Sequence, residues 1–136
     1  RPAPRPAPRP AAAPRPLKDL PATQLKPSSA VALEAVAAAR ALVGTASGTD
    51  VSLVRTAWSR AGGHALPLDR RALVTKAVQV PRPWLRVGDL VAYGTPASQV
   101  YLYAGSGYMV GWSPDHGAVV VRRVHTGDVR FLRLPV

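Results

Sequence analysis

At Pro81 and Pro83 the hydrophobic period of this 136-residue chain changes from 3.6 to 2, and that change sets the order of layers the fold can have. Before it, apolar residues recur at helical spacing. Ser29 is placed to cap a helix in which Ala32, Val36, Ala39 and Val43 share a face, with Gly44 at the C-terminal left-handed position. In the stretch from Thr49 to Trp58, Val51, Val54, Trp58 and Ala61 follow one another around a second buried face. Asp50 stands where an N-cap would, and Gly62-Gly63 ends this helix. Leu73 and Ala77 give a thinner face to a third helix from about Leu68 to Lys76. After the prolines, residues 90–93, 99–104, 108–112, 118–124 and 129–132 read as strands separated by Gly, Pro, Asp and Ser turns. Such short connections require antiparallel neighbours, since a parallel crossover needs roughly a dozen residues. The expected fold is α+β, with N-terminal helices packed on one face of an antiparallel sheet of five to six strands.

Residues 1–16 form a short Arg-Pro-Ala-Pro repeat with almost nothing to bury, and a linker continues from it to Pro27. Residues 1–27 are expected to be an extended arm of polyproline character, at about 3.1 Å per residue, and residues 28–136 one globular domain. The sequence opens at Arg1 without a charged-then-apolar leader, so a mature product or a piece of something longer is expected. No apolar run approaches the roughly 20 residues of a membrane span. The formal charge of +11 rests on fifteen Arg and three Lys and favours anionic partners: wall polymers, lipid surfaces or nucleic acid. The chain contains no cysteine, which removes disulfides, thiolate metal sites and cysteine nucleophiles together.

Three blocks of sequence resemble one family. Asp50-Val51-Ser52 and the helix after it are similar to the nucleophile helix of the NlpC/P60 cell-wall peptidases, papain-like enzymes whose motif there reads Asp-Cys-Ser-Gly. Leu85-Arg86-Val87-Gly88-Asp89-Leu90-Val91-Ala92-Tyr93 is similar to the family's entry into its first strand, where a tight Gly-Asp turn leads into the sheet. Residues 98–112, from Ser98-Gln99-Val100 to Gly111-Trp112, resemble the hairpin that carries the catalytic histidine. Order and spacing fit, and together the blocks cover about residues 29–132.

The resemblance implies a papain-like NlpC/P60 fold and cleavage of peptidoglycan stem peptides by a cysteine thiolate with two histidines. Matched residue by residue, the nucleophile position is Val51, the base position Gln99 and the orienting position Gly111. Valine offers no lone pair, the amide of glutamine takes no proton near neutral pH, and glycine has no side chain. The family's aromatic segment before the nucleophile is missing as well: Gly44-Thr45-Ala46-Ser47-Gly48 is shorter and carries no tyrosine. Ser52 lies about 100° around the helix from Val51 with no predicted histidine partner. His64, His116 and His125 are expected in turns, and no pair has metal-ligand spacing, so neither a metal nor another cofactor is expected.

Tyr101 falls where the family usually has a small residue, and it is expected to fill the volume left around Val51 and Gly111. Trp58 and Tyr103 are expected in the core. Tyr108 and Trp112 share the other face of their strand from Gly111 and, with Trp84, are the candidate ligand-binding aromatics. The expected function is therefore that of a non-catalytic domain, exported to the cell wall or envelope, which binds peptidoglycan, another anionic wall polymer or a partner wall hydrolase. Two alternatives remain open: a peptidoglycan hydrolase working through relocated residues, and a basic nucleic-acid-binding protein. The latter rests on charge alone, without a helix-turn-helix or RNA-binding signature or interleaved aromatics in the arm.

Overall fold

The computed structural model describes residues 28–46 and 48–135, so the proline-rich arm lies outside the described residues. Among the described residues three helices, α1 (Ala30–Ala41), α2 (Asp50–Arg60) and α3 (Arg70–Lys76), precede the sheet. Ser29 caps α1 as its sequence requires, accepting from the Ala32 amide at 3.0 Å. The cap of α2 is Thr49, whose side chain accepts from Ser52 N, and Asp50 is the first helical residue. This corrects the expectation that Asp50 is the cap. The threonine hydroxyl takes the orphan amide, which releases the carboxylate for another partner. Asp69 caps α3, placing its start two residues after Leu68.

The strands are β1 (Val78–Val80), β2 (Leu90–Tyr93), β3 (Gln99–Gly105), β4 (Tyr108–Ser113), β5 (Ala118–Arg123) and β6 (Val129–Arg133). They form one six-stranded sheet in the order β1-β6-β2-β3-β4-β5, antiparallel at every pairing. The fold is α+β with the helices on one face of the sheet. Ala32, Val36 and Ala39 of α1 and Val51, Val54 and Trp58 of α2 join Leu90, Val100, Leu102 and Val110 in the larger core. Side chains alternate across a strand, so Tyr101 and Tyr103 of β3 point the other way. There they join Leu85, Val91, Met109, Val124 and Phe131 in a second buried cluster.

Gly88 shows why the Gly-Asp turn at the entrance to β2 needs its glycine. Its φ is +93°, and a Cβ there would collide with Ala32 of α1. The second cluster has a pH consequence. The Tyr103 hydroxyl accepts from Gly107 N at 3.0 Å, and burial pushes the phenol pKa of Tyr103, like that of Tyr93, above the ordinary value of 10.0. Raised folded values mean that this stabilisation is intact below about pH 10, the unfolded value, and is lost as pH rises through the folded values. Urea unfolding between pH 8 and pH 11 (about the tyrosine range) is expected to show this loss, and Tyr103→Phe is expected to flatten it.

Candidate functional site

The N-terminus of α2 meets the sheet where β3 and β4 part. Their pairing runs Leu102↔Val110, Tyr103↔Met109 and Gly105↔Tyr108, and beyond Leu102 side chains take over from the ladder. Gln99 Nε2 donates to the Trp112 carbonyl at 2.6 Å, and Val100 N donates to Asp50 Oδ2 at 2.8 Å. The Asp50 carboxylate thus ties α2 to β3, and the Gln99 side chain joins β3 to β4.

Asp50 is only 3% exposed. Besides Val100, its carboxylate accepts from Arg70 twice, Nε to Oδ2 at 2.9 Å and Nη2 to Oδ1 at 2.8 Å. Such a fork-on-carboxylate pair is directional and strong, and here it ties α2, α3 and β3 together. The hydrogen bond to Asp50 raises the pKa of Arg70, outweighing partial burial, so the guanidinium stays charged. An arginine-clamped carboxylate is a poor nucleophile, and Gln99 beside it is no base.

Val51 is 5% exposed and belongs to the larger core between the helices and the sheet. Gly111 lies on β4 opposite Val120 of β5, and its missing side chain faces Tyr101: a Cβ built there would lie 2.5 Å from Tyr101 Cδ2. Tyr101 is 3% exposed and meets Tyr93 edge-on with centroids 6.1 Å apart. The expectation that Tyr101 fills the space at both Val51 and Gly111 is thus corrected in part. It covers Gly111, but Val51 belongs to the cluster on the opposite face of the sheet.

The candidate ligand aromatics are not brought together. Trp84, 52% exposed, sits in a 3-10 turn (Arg82–Trp84) whose last carbonyl accepts from Arg133 of β6. Tyr108, 40% exposed, is on β4, with β2 and β3 between β4 and β6, and Trp112 is half-buried against the larger core. None of the histidines is hydrogen-bonded to Ser52 among the described residues. His116 Nδ1 lies 3.0 Å from Ser113 Oγ, but Ser113 is fully buried and the pair closes its own turn, with Gly117 N donating to Ser113 O. His125 stacks on Tyr93 with centroids 4.2 Å apart, and His64 is exposed. Among the described residues no group of three His, Asp or Glu is placed to hold a metal ion, and no helix is long and apolar enough to cross a membrane.

Sequence reasoning missed the Asp50–Arg70 pair and the Ser113–His116 contact. Twenty residues separate Asp50 from Arg70, and nothing in the local pattern of either announces the other.

Helices on one face of a six-stranded antiparallel sheet define an α+β domain. More particularly, its fold is that of solved NlpC/P60 domains. No family model matches the sequence, nor does any curated protein. Solved structures do. RipB, a peptidoglycan hydrolase of Mycobacterium tuberculosis, superposes with a TM-score of 0.68 at 22% identity over 76% of this chain, which spans 63% of that one. RipD of M. tuberculosis, described as a non-catalytic NlpC/P60 domain protein adapted to peptidoglycan binding, gives 0.68 at 20% identity over 79% of this chain and 99% of its own. The P60 domain of an antigen from M. avium subspecies paratuberculosis gives 0.65 at 20% identity, over 76% and 93%.

Proposed function

We propose that the chain is a non-catalytic NlpC/P60-like domain, residues 28–136, that binds peptidoglycan or another polymer of the bacterial cell wall. One arrangement supports this most: at the N-terminus of α2, beside Gln99, stands the Asp50 carboxylate, closed off by Arg70 and Val100. In this reading Val51, next to Asp50 at the start of α2, is the vestige of the nucleophile. Gln99 and Gly111 are the vestiges of the base and its orienting partner. RipD, with the same fold, supplies a precedent for binding without cleavage. Residues 1–27 act as a basic arm that adds electrostatic attraction to anionic wall polymers, and the setting is the cell envelope.

The full chain is expected to be retained on purified cell wall at low salt, with retention falling as salt screens the charges and falling again when residues 1–16 are removed. No stem peptide should be released, whether from the wild type or from Ser52→Ala and His116→Ala controls. Release of peptide by the wild type, or no retention at low salt, overturns the reading.

A further inference from the structure

β5 is the outer strand on one side of the sheet. Val119 N donates to Thr45 O at 2.9 Å and Val119 O accepts from Gly44 N at 2.8 Å, so the backbone groups of Val119 point away from β4. In an antiparallel ladder every second residue points the same way, so the N–H and C=O groups of Val121 and Arg123 also face outward. Among the described residues the loop at Gly44 and Thr45 covers Val119 and leaves the other two open. Edges of this kind are templates for another strand unless something blunts them.

Beside the open stretch lies a hollow of about 250 Å³ lined by Arg40, Ala104, Gly105, Ser106, Tyr108 and Val121. Two of these, Tyr108 and Val121, are large side chains left 40% and 39% exposed. The guanidinium of Arg123 lies 5.6 Å from the Tyr108 ring centroid, and the Arg40 side chain has no partner among the described residues. Among the described residues no carboxylate lines the hollow. Open backbone donors and acceptors, exposed apolar area and two guanidinium groups thus converge on one short edge.

We infer that this edge binds a short extended peptide bearing a carboxylate, which adds to β5 along Val121 and Arg123 and sends its acidic side chain into the hollow at Arg40. Val121 to Arg123 offers about 10 Å of strand, room for a tri- or tetrapeptide rather than a long segment. Main-chain hydrogen bonds supply affinity in this mode and the side-chain pocket supplies selectivity. The arginines repel a second copy of this basic edge, and an acidic strand is the one they admit. This deepens the wall-binding reading and rests on it, since stem peptides are short and carry carboxylates.

The probe is acetyl-Val-Glu-Val amide, titrated into the uniformly ¹⁵N-labelled 136-residue chain. Saturable amide shifts are expected at Tyr108 and Val119 to Arg123. Replacing the probe's glutamate with glutamine, or Arg40 with glutamine, should weaken binding by about tenfold, the loss of a charge-assisted contact. Val121→Pro should abolish it, because proline deletes an outward N–H without removing a ladder bond, and unchanged shifts elsewhere in the spectrum will show that the variant is folded. Shifts confined to other surfaces, equal binding of the glutamine probe, or undiminished binding by folded Val121→Pro overturns the inference. Wall retention of the wild type is a separate readout: its absence beside a saturable titration sinks the wall-binding reading and leaves the edge site standing.

Discussion

Replacing Asp89 with alanine is expected to cost about 3–5 kcal/mol of stability, the range for breaking a buried ion pair from one side. Asp89 is fully buried. Its Oδ2 accepts from Arg86 N and Arg133 Nη2, both at 2.8 Å, and its Oδ1 from Arg133 Nε at 2.9 Å. The same arginine donates to the Trp84 carbonyl at 2.7 Å, so a single carboxylate joins the turn into β2, the end of β6 and the 3-10 turn. Alanine leaves a guanidinium and a backbone amide without their acceptor. Since a domain of this size is stable by only about 5–15 kcal/mol, the variant should unfold at a much lower urea concentration. Asp89→Asn, which keeps an acceptor, should lose less. A shift in the unfolding free energy of Asp89→Ala below about 1 kcal/mol would show that the pair contributes no more than an exposed one.

The second large effect is expected at Gly111. Gly111→His, at the position that the resemblance matches to the orienting histidine, places Cβ 2.5 Å from Tyr101 Cδ2 and 3.3 Å from the Tyr101 Cα. The ring is buried and held edge-on by Tyr93, so it cannot swing aside without disturbing the second cluster. Overpacking of this kind costs about 1–3 kcal/mol, and the backbone contact puts this site at the upper end. Tyr101→Gly alone leaves a cavity and also destabilises. Combined, the two should be less harmful than their sum by about 1–3 kcal/mol, since each relieves the other. A double-mutant cycle read by urea unfolding measures this coupling, and strict additivity would show that Tyr101 does not occupy the histidine's place. No cleavage is expected from Val51→Cys/Gln99→His/Gly111→His while Tyr101 remains.

Where neighbours in sequence cause the structure, the sequence could be read. Ser29 caps its helix, Trp58 anchors α2 in the core, and the alternation of β2 to β6 puts Tyr103 inside. The Gly-Asp turn was visible as a motif, and its collision with Ala32 supplies the physical reason. Contacts between distant segments were not legible. Val78–Val80 is too short and too close to Pro81 to show a period, and it becomes a strand only because β6 pairs with it. Whether Asp50 caps its own helix or reaches another element depends on Thr49 taking the cap and on Arg70 arriving from α3. Alternation in β3 assigned Tyr101 to a face, yet it could not say that this face is buried by a second cluster and is not the one that meets Val51.

The position of β6 in the sheet bears on how the domain is made. Strand β6, the furthest along the sequence among the described residues, lies between β1 and β2, pairing with both, and it carries the arginine that satisfies Asp89. Until Val129 to Arg133 has left the ribosome, β1 has no neighbour in the sheet, and β2 presents an open edge beside a buried, unanswered carboxylate. The domain therefore cannot close before β6 has been made, and contacts so distant in sequence make closure slow. β1 and β2 become parts of one sheet only once β6 has slid between them, so a single late strand sets the final shape of both.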